Sequence, residues 1–81
     1  MIRIVKYCGE NDYSVNFYKK IDLNKVREIF KDFNELERTD ETLELYKDNK
    51  KIVAFAYGEI LFLNFPIEEV EEYVKAMEKL L

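Results

Sequence analysis

Histidine, tryptophan and glutamine are absent from this 81-residue chain, which holds one cysteine, one proline and two glycines. Each scarcity removes a class of chemistry. With no His and a single Cys, one chain assembles neither the usual zinc and iron-sulfur ligand sets nor a Ser-His or Cys-His nucleophile pair. One Cys makes no intrachain disulfide, which fits a reducing compartment, and Cys8 is expected as a core or strand-end thiol. Gly9 and Gly58 are too few for a phosphate-cradling loop. No apolar run reaches the roughly 18 residues of a membrane span. Met1-Ile2-Arg3-Ile4 does not open a signal-peptide pattern. The expectation is a cytoplasmic protein with one domain over residues 1–81, no cofactor, no membrane contact and no catalytic activity.

What the chain has in quantity is charge. Its 13 basic and 17 acidic residues give a net charge of -4, and 10 of the basic residues are Lys. Dense charge of both signs, together with the missing Gln, suggests surface ion-pair networks of the heat-adapted kind. The balance shifts along the chain. Residues 1–34 carry 7 basic and 5 acidic groups, and residues 35–81 carry 6 and 12. A site for an anionic polymer therefore belongs to the first part.

Hydrophobic periodicity predicts an α+β fold in the order ββαβββα, a curved antiparallel sheet with two helices on one face. Ile2 to Cys8 is a β-branched run that ends in the turn cluster Gly9-Glu10-Asn11-Asp12. Tyr13, Val15, Phe17 and Ile21 then alternate with Ser14, Asn16, Tyr18 and Lys20. Asp22 is placed to cap a helix with Val26, Ile29, Phe30 and Phe33 on its apolar stripe, ending near Asn34. Residues 35–41 are polar apart from Leu36 and read as a connection. Thr42 to Lys47, Lys51 to Tyr57 and Ile60 to Phe65 follow as strands. Pro66 opens a last helix whose stripe is Ile67, Val70, Tyr73, Val74, Met77 and Leu80. The register of the first hairpin stays open.

Hairpin geometry then sorts the strands into faces. With Gly58-Glu59 as a two-residue turn, Leu43, Leu45, Ile52, Ala54, Ala56, Leu61, Leu63 and Phe65 share the side that the helices cover. The other side carries Tyr46, Val53, Phe55, Tyr57, Ile60 and Phe62, joined by Tyr18 from the second strand. Two helices screen one face of a small sheet, so this aromatic-rich face is left open. An apolar patch of that size marks an interaction surface. The expected partner is a protein, either a second copy of the chain or another subunit.

From Tyr13 to Leu81 the pattern resembles a half-repeat of the TATA-box-binding-protein fold. The likeness lies in a strand running into Lys19-Lys20-Ile21-Asp22-Leu23 and a helix, then antiparallel strands with Phe55 three residues before Gly58. A terminal helix ending Glu78-Lys79-Leu80 completes it. The resemblance implies helices on the convex side, an open concave side that binds a nucleic-acid minor groove or other partners, and a wedge residue at Phe55. It also implies a short strand around Asn34 to Asp40, which the residues themselves do not signal. A second wedge position falls near Arg38, and Glu59 stands where the family has a basic residue.

Two further chemistries follow from the charges. Lys6, Lys19, Lys20, Lys50 and Lys51, with Tyr18, Tyr46, Phe55 and Tyr57, are the candidate contacts for a single-stranded or minor-groove nucleic acid. The net acidity opposes this, because phosphate neutralisation supplies most nonspecific affinity. Glu35, Glu37, Asp40 and Glu41 are candidate calcium ligands, against which stands the missing spaced acidic loop with its turn glycine.

Overall fold

Alternating apolar residues from Tyr13 onward and from Thr42 onward form strands because a pleated chain sends successive side chains to opposite faces. The computed structural model describes residues 2–80. Its elements are β1 (Arg3–Lys6), β2 (Tyr13–Asn16), α1 (Leu23–Ile29), β3 (Asn34–Arg38), β4 (Thr42–Lys47), β5 (Lys50–Phe55), β6 (Glu59–Leu63) and α2 (Ile67–Leu80). The strands make one sheet in the order β1-β2-β6-β5-β4-β3, and each neighbouring pair is antiparallel. The α+β class is as expected, but the order is ββαββββα. The added strand, β3, takes Asn34, expected near the helix end, and the first four residues of the segment 35–41 that reads as a connection. Their side chains give no alternating signal, since all five are exposed, and pairing with β4 holds them in place.

Helix α1 starts at Asp22, whose Oδ1 accepts the Asn24 N–H at 2.9 Å while its carbonyl takes those of Lys25 and Val26. It stops at Phe30 rather than near Asn34, because the chain turns there to enter β3. The Phe30 carbonyl is satisfied by the Phe33 N–H and by Arg27 Nη1, both at 2.9 Å. Phe30 and Phe33 are buried nonetheless. In α2, Glu68 and Glu69 occupy the first turn and Lys79 the last, the arrangement that the helix dipole favours. Val70, Val74 and Met77 are its buried stripe.

Both helices lie on one side of the sheet. The core between the layers holds Val26 and Phe30 of the α1 region, Val70 and Met77 of α2, and Val15, Leu43, Leu45, Ile52, Ala54, Ile60 and Phe62 of the strands, all fully buried. Edge-on aromatic contacts tie it together, with Phe62 lying 6.1 Å from Phe30 and 5.2 Å from Phe65 between ring centroids.

One turn differs from expectation and changes the faces. The β4–β5 turn has two residues, Asp48-Asn49, one of the two placements (Asp48-Asn49 or Asn49-Lys50) that the sequence allows, with Lys47 across from Lys50 and Asp48 at φ 55°. The β5–β6 turn has three residues, Ala56-Tyr57-Gly58, so that Phe55 stands across from Glu59, Val53 from Leu61 and Ile52 from Phe62. One added residue sends every side chain of β6 to the opposite face. Ile60 and Phe62 therefore belong to the core, and Leu61 and Leu63 to the open side. The cause is tertiary. The Phe17 N–H donates to the Gly58 carbonyl at 2.8 Å and the Ile21 N–H to the Ala56 carbonyl at 3.0 Å, locking the turn onto the β2–α1 connection.

The first hairpin pairs Lys6 with Tyr13 and Ile4 with Val15, which puts Ile4 on the helix side. Cys8 follows β1 and is exposed, so the strand-end reading holds and the core reading does not.

Candidate interaction face

Cross-strand neighbours share a face, so the open side can be read row by row from the register. The middle row crosses all six strands as Val5, Ser14, Leu61, Val53, Glu44 and Glu37. On one side of it lies Arg3, Asn16, Glu59, Phe55 and Thr42. On the other lies Leu63, Lys51, Tyr46 and Asn34. No described helix packs against these rows. Leu61, Leu63, Val53 and Phe55 form a half-buried apolar band over β6 and β5. Val5 at one side is 40% exposed and Tyr46 at the other 41%.

Of the expected face residues, Tyr46, Val53 and Phe55 lie on this side. Tyr57 sits in the β5–β6 turn, 61% exposed, its ring stacked on Phe55 at 5.4 Å. Tyr18 is outside the ladder, in the β2–α1 connection, at φ 58° with its N–H donated to Asn16 Oδ1 at 2.8 Å. Ile60 and Phe62 are fully buried under the helices and are not part of the face. Val5, Leu61 and Leu63 belong in their place. Strand parity identifies the last two once the turn is given three residues.

A polar group is built into the band. Glu59 accepts from Ser14 Oγ at 2.5 Å through Oε2 and from the Tyr57 hydroxyl through Oε1. Ser14 is the one buried polar residue described, and this bond satisfies it. The Tyr57 phenol is held above its ordinary pKa, first because its proton is donated to Glu59, then by desolvation and by repulsion from that carboxylate. The charges on the face are Arg3 and Lys51 against Glu37, Glu44 and Glu59. Lys51 is engaged with Glu44 at 3.1 Å.

The candidate nucleic-acid lysines do not converge. Lys50 points to the helix side, where it meets Glu69 at 2.8 Å and lies 5.4 Å from the Phe65 ring centroid. Lys51 is on the open side, and Lys6 ends β1 in the row of Tyr13 and Phe62. Lys19 and Lys20 are in the β2–α1 connection, Lys20 beside a depression of 270 Å³ shared with Glu41, Ala56 and Tyr57. Strand alternation and the intervening turn scatter what the sequence places close together.

The acidic candidates part in the same way. Glu35 is held on the helix side by Arg27 at 3.5 Å and Arg38 at 3.2 Å. Glu37 lies across from Glu44 on the open side, after a register shift between Glu35 and Glu37. Asp40 and Glu41 are in the β3–β4 turn, where Thr39 Oγ1 accepts the N–H groups of Glu41 and Thr42. Among the described residues, no three acidic, His or Cys groups come together as a metal site. A depression of 350 Å³ beside Asp40 is lined by Asp22, Asn24 and Arg38, where Asp22 Oδ1 caps the helix and Arg38 donates to Asn24 Oδ1 at 2.8 Å.

No family model, curated protein or solved structure matches the chain. No described helix is long and apolar enough to cross a membrane.

Proposed function

We propose that this chain is a small non-catalytic interaction module whose open sheet face binds protein, the partner being a second copy of the chain. The observation that carries this reading is the continuous band of Leu61, Leu63, Val53 and Phe55 across β6 and β5, on a face that neither helix covers. Clustered apolar surface of this kind costs free energy in water and is relieved by association. The molecule measures 29 × 29 × 19 Å, so its broad face has room for the roughly 800 Å² per partner of a standard interface. Nucleic acid is the weaker reading, because the same face carries three carboxylates and two cations, one of them already paired with a carboxylate.

The strand at Asn34–Arg38 and the placement of both helices on one side support the likeness to a TATA-box-binding-protein half-repeat as a scaffold. The side chains on the open face favour a different use for it. Heat adaptation is a second proposal, supported by ion pairs between segments distant in sequence, such as Lys47–Asp32 and Lys50–Glu69. A melting midpoint within the ordinary range of about 45–65 °C would refute it.

The test of the face is Val53→Glu combined with Leu61→Glu. Both side chains point away from the core, so the double variant keeps its far-UV circular dichroism and becomes monomeric in light scattering. A double variant that associates as tightly as the parent would rule the face out.

A further inference from the structure

We propose that two copies pack open face to open face about a two-fold axis that runs parallel to the strands over the β5–β6 pair, bringing Arg3 of each copy to Glu37 of the other. This arrangement rests on the self-association reading above. Two sheets stacked about 10 Å apart keep their strands within about 30° of alignment. A closed pair then has two simple choices of axis in the plane of contact. They differ in which strands meet.

An axis across the strands lays β4 on β4 and β3 on β3. It sets Glu44 over the partner's Glu44 and Glu37 over the partner's Glu37, on a face whose only nearby cation, Lys51, is already held by Glu44. Like charges brought together at an interface cost several kcal/mol. An axis along the strands reverses the strand order instead. In the middle row, Leu61 then meets the partner's Val53, and Val5 at the β1 edge lies over the partner's Glu37 at the β3 edge. Arg3 is two residues from Val5 on the same face, and its side chain spans the remaining offset to the partner's Glu37. No other residue with a formal charge lies on the open face of β1 or β2, since Lys6 takes the opposite parity.

Apart from Glu59 and Lys51 on the outer rows, the face runs from a basic β1 edge through an apolar β6–β5 centre to an acidic β4–β3 edge. Only rotation about the strand direction matches that sequence to itself. Two Arg3–Glu37 contacts form, one at each rim, where they choose the orientation while Leu61 and Val53 supply the affinity.

The experiment uses the full chain with Arg3→Glu and, separately, Glu37→Arg, in sedimentation equilibrium at low salt. Each variant alone places two like-charge contacts at the rim and dissociates at least about tenfold more readily than the parent. An equimolar mixture restores both contacts in the heterodimer and recovers parental affinity. Glu37→Arg also separates the proposal from a net-charge effect, because it makes an acidic chain less acidic and would tighten association if overall repulsion governed it. A parent that dimerises while the mixture is no tighter than either variant overturns this orientation and leaves self-association standing. A parent that stays monomeric overturns both this orientation and self-association.

Discussion

Leu61 stands directly across from Val53 on the open face, while its neighbour Phe62 stands across from Ile52 in the core. The two positions therefore differ sharply in what truncation removes. Phe62→Ala is expected to destabilise the fold by about 3–5 kcal/mol, the range for emptying an aromatic site in a packed core. Leu61→Ala is expected to cost about 1 kcal/mol or less in the monomer. Urea unfolding at low protein concentration measures both, and equal losses would contradict the three-residue turn.

Gly58 is fixed by backbone rather than by side-chain neighbours. It adopts φ 121°, and a Cβ there would lie 2.2 Å from the Lys19 carbonyl oxygen. Neither the strain nor the contact can be relieved by rotating a side chain, so Gly58→Ala should lose about 2 kcal/mol or more. Gly9→Ala is the control. Its added methyl meets only the flexible Asp12 carboxylate, at 3.0 Å, and thermal unfolding should show a small shift for it beside a large one for Gly58→Ala.

The Tyr57–Glu59 contact predicts alkaline behaviour. The folded-state pKa of Tyr57 is raised, so the stabilisation it contributes is complete below the ordinary tyrosine value of about 10. It is lost as the pH rises through the higher folded value. Absorbance titration at 295 nm should show late-ionising tyrosine, and Glu59→Gln should return part of it to the ordinary range. The remainder belongs to Tyr73, which burial raises first, followed by the charges of Asp32 and Glu69. An unchanged titration curve in Glu59→Gln would place Tyr57 elsewhere.

Much of this structure was legible in the residues, and the exceptions share a cause. Asp22 as a cap, Pro66 before the last helix and the alternation through Leu43 and Leu45 are local signals, and each produced the element it announced. Asn34–Arg38 carries no such signal. It is a strand because β4 offers an unpaired edge and because Arg27 and Arg38 clamp Glu35. The site was half legible for a related reason. That one face would lack cover follows from having two helices, but which residues occupy it depends on the length of a single turn. Gly58 reads locally as the start of a two-residue turn, whereas its bond to Phe17 and the pairing of Ala56 with Ile21 impose three. Contacts distant in sequence thus exchanged Ile60 and Phe62 for Leu61 and Leu63.

The most direct measurement is the mass of the unmodified chain in solution, by sedimentation equilibrium over a wide concentration range. Burial of the Val53 and Leu61 band against a second copy predicts a mass near double the 9.8 kDa chain, shifting toward the single chain on dilution. A mass of one chain at every concentration, up to the highest that stays in solution, would contradict it.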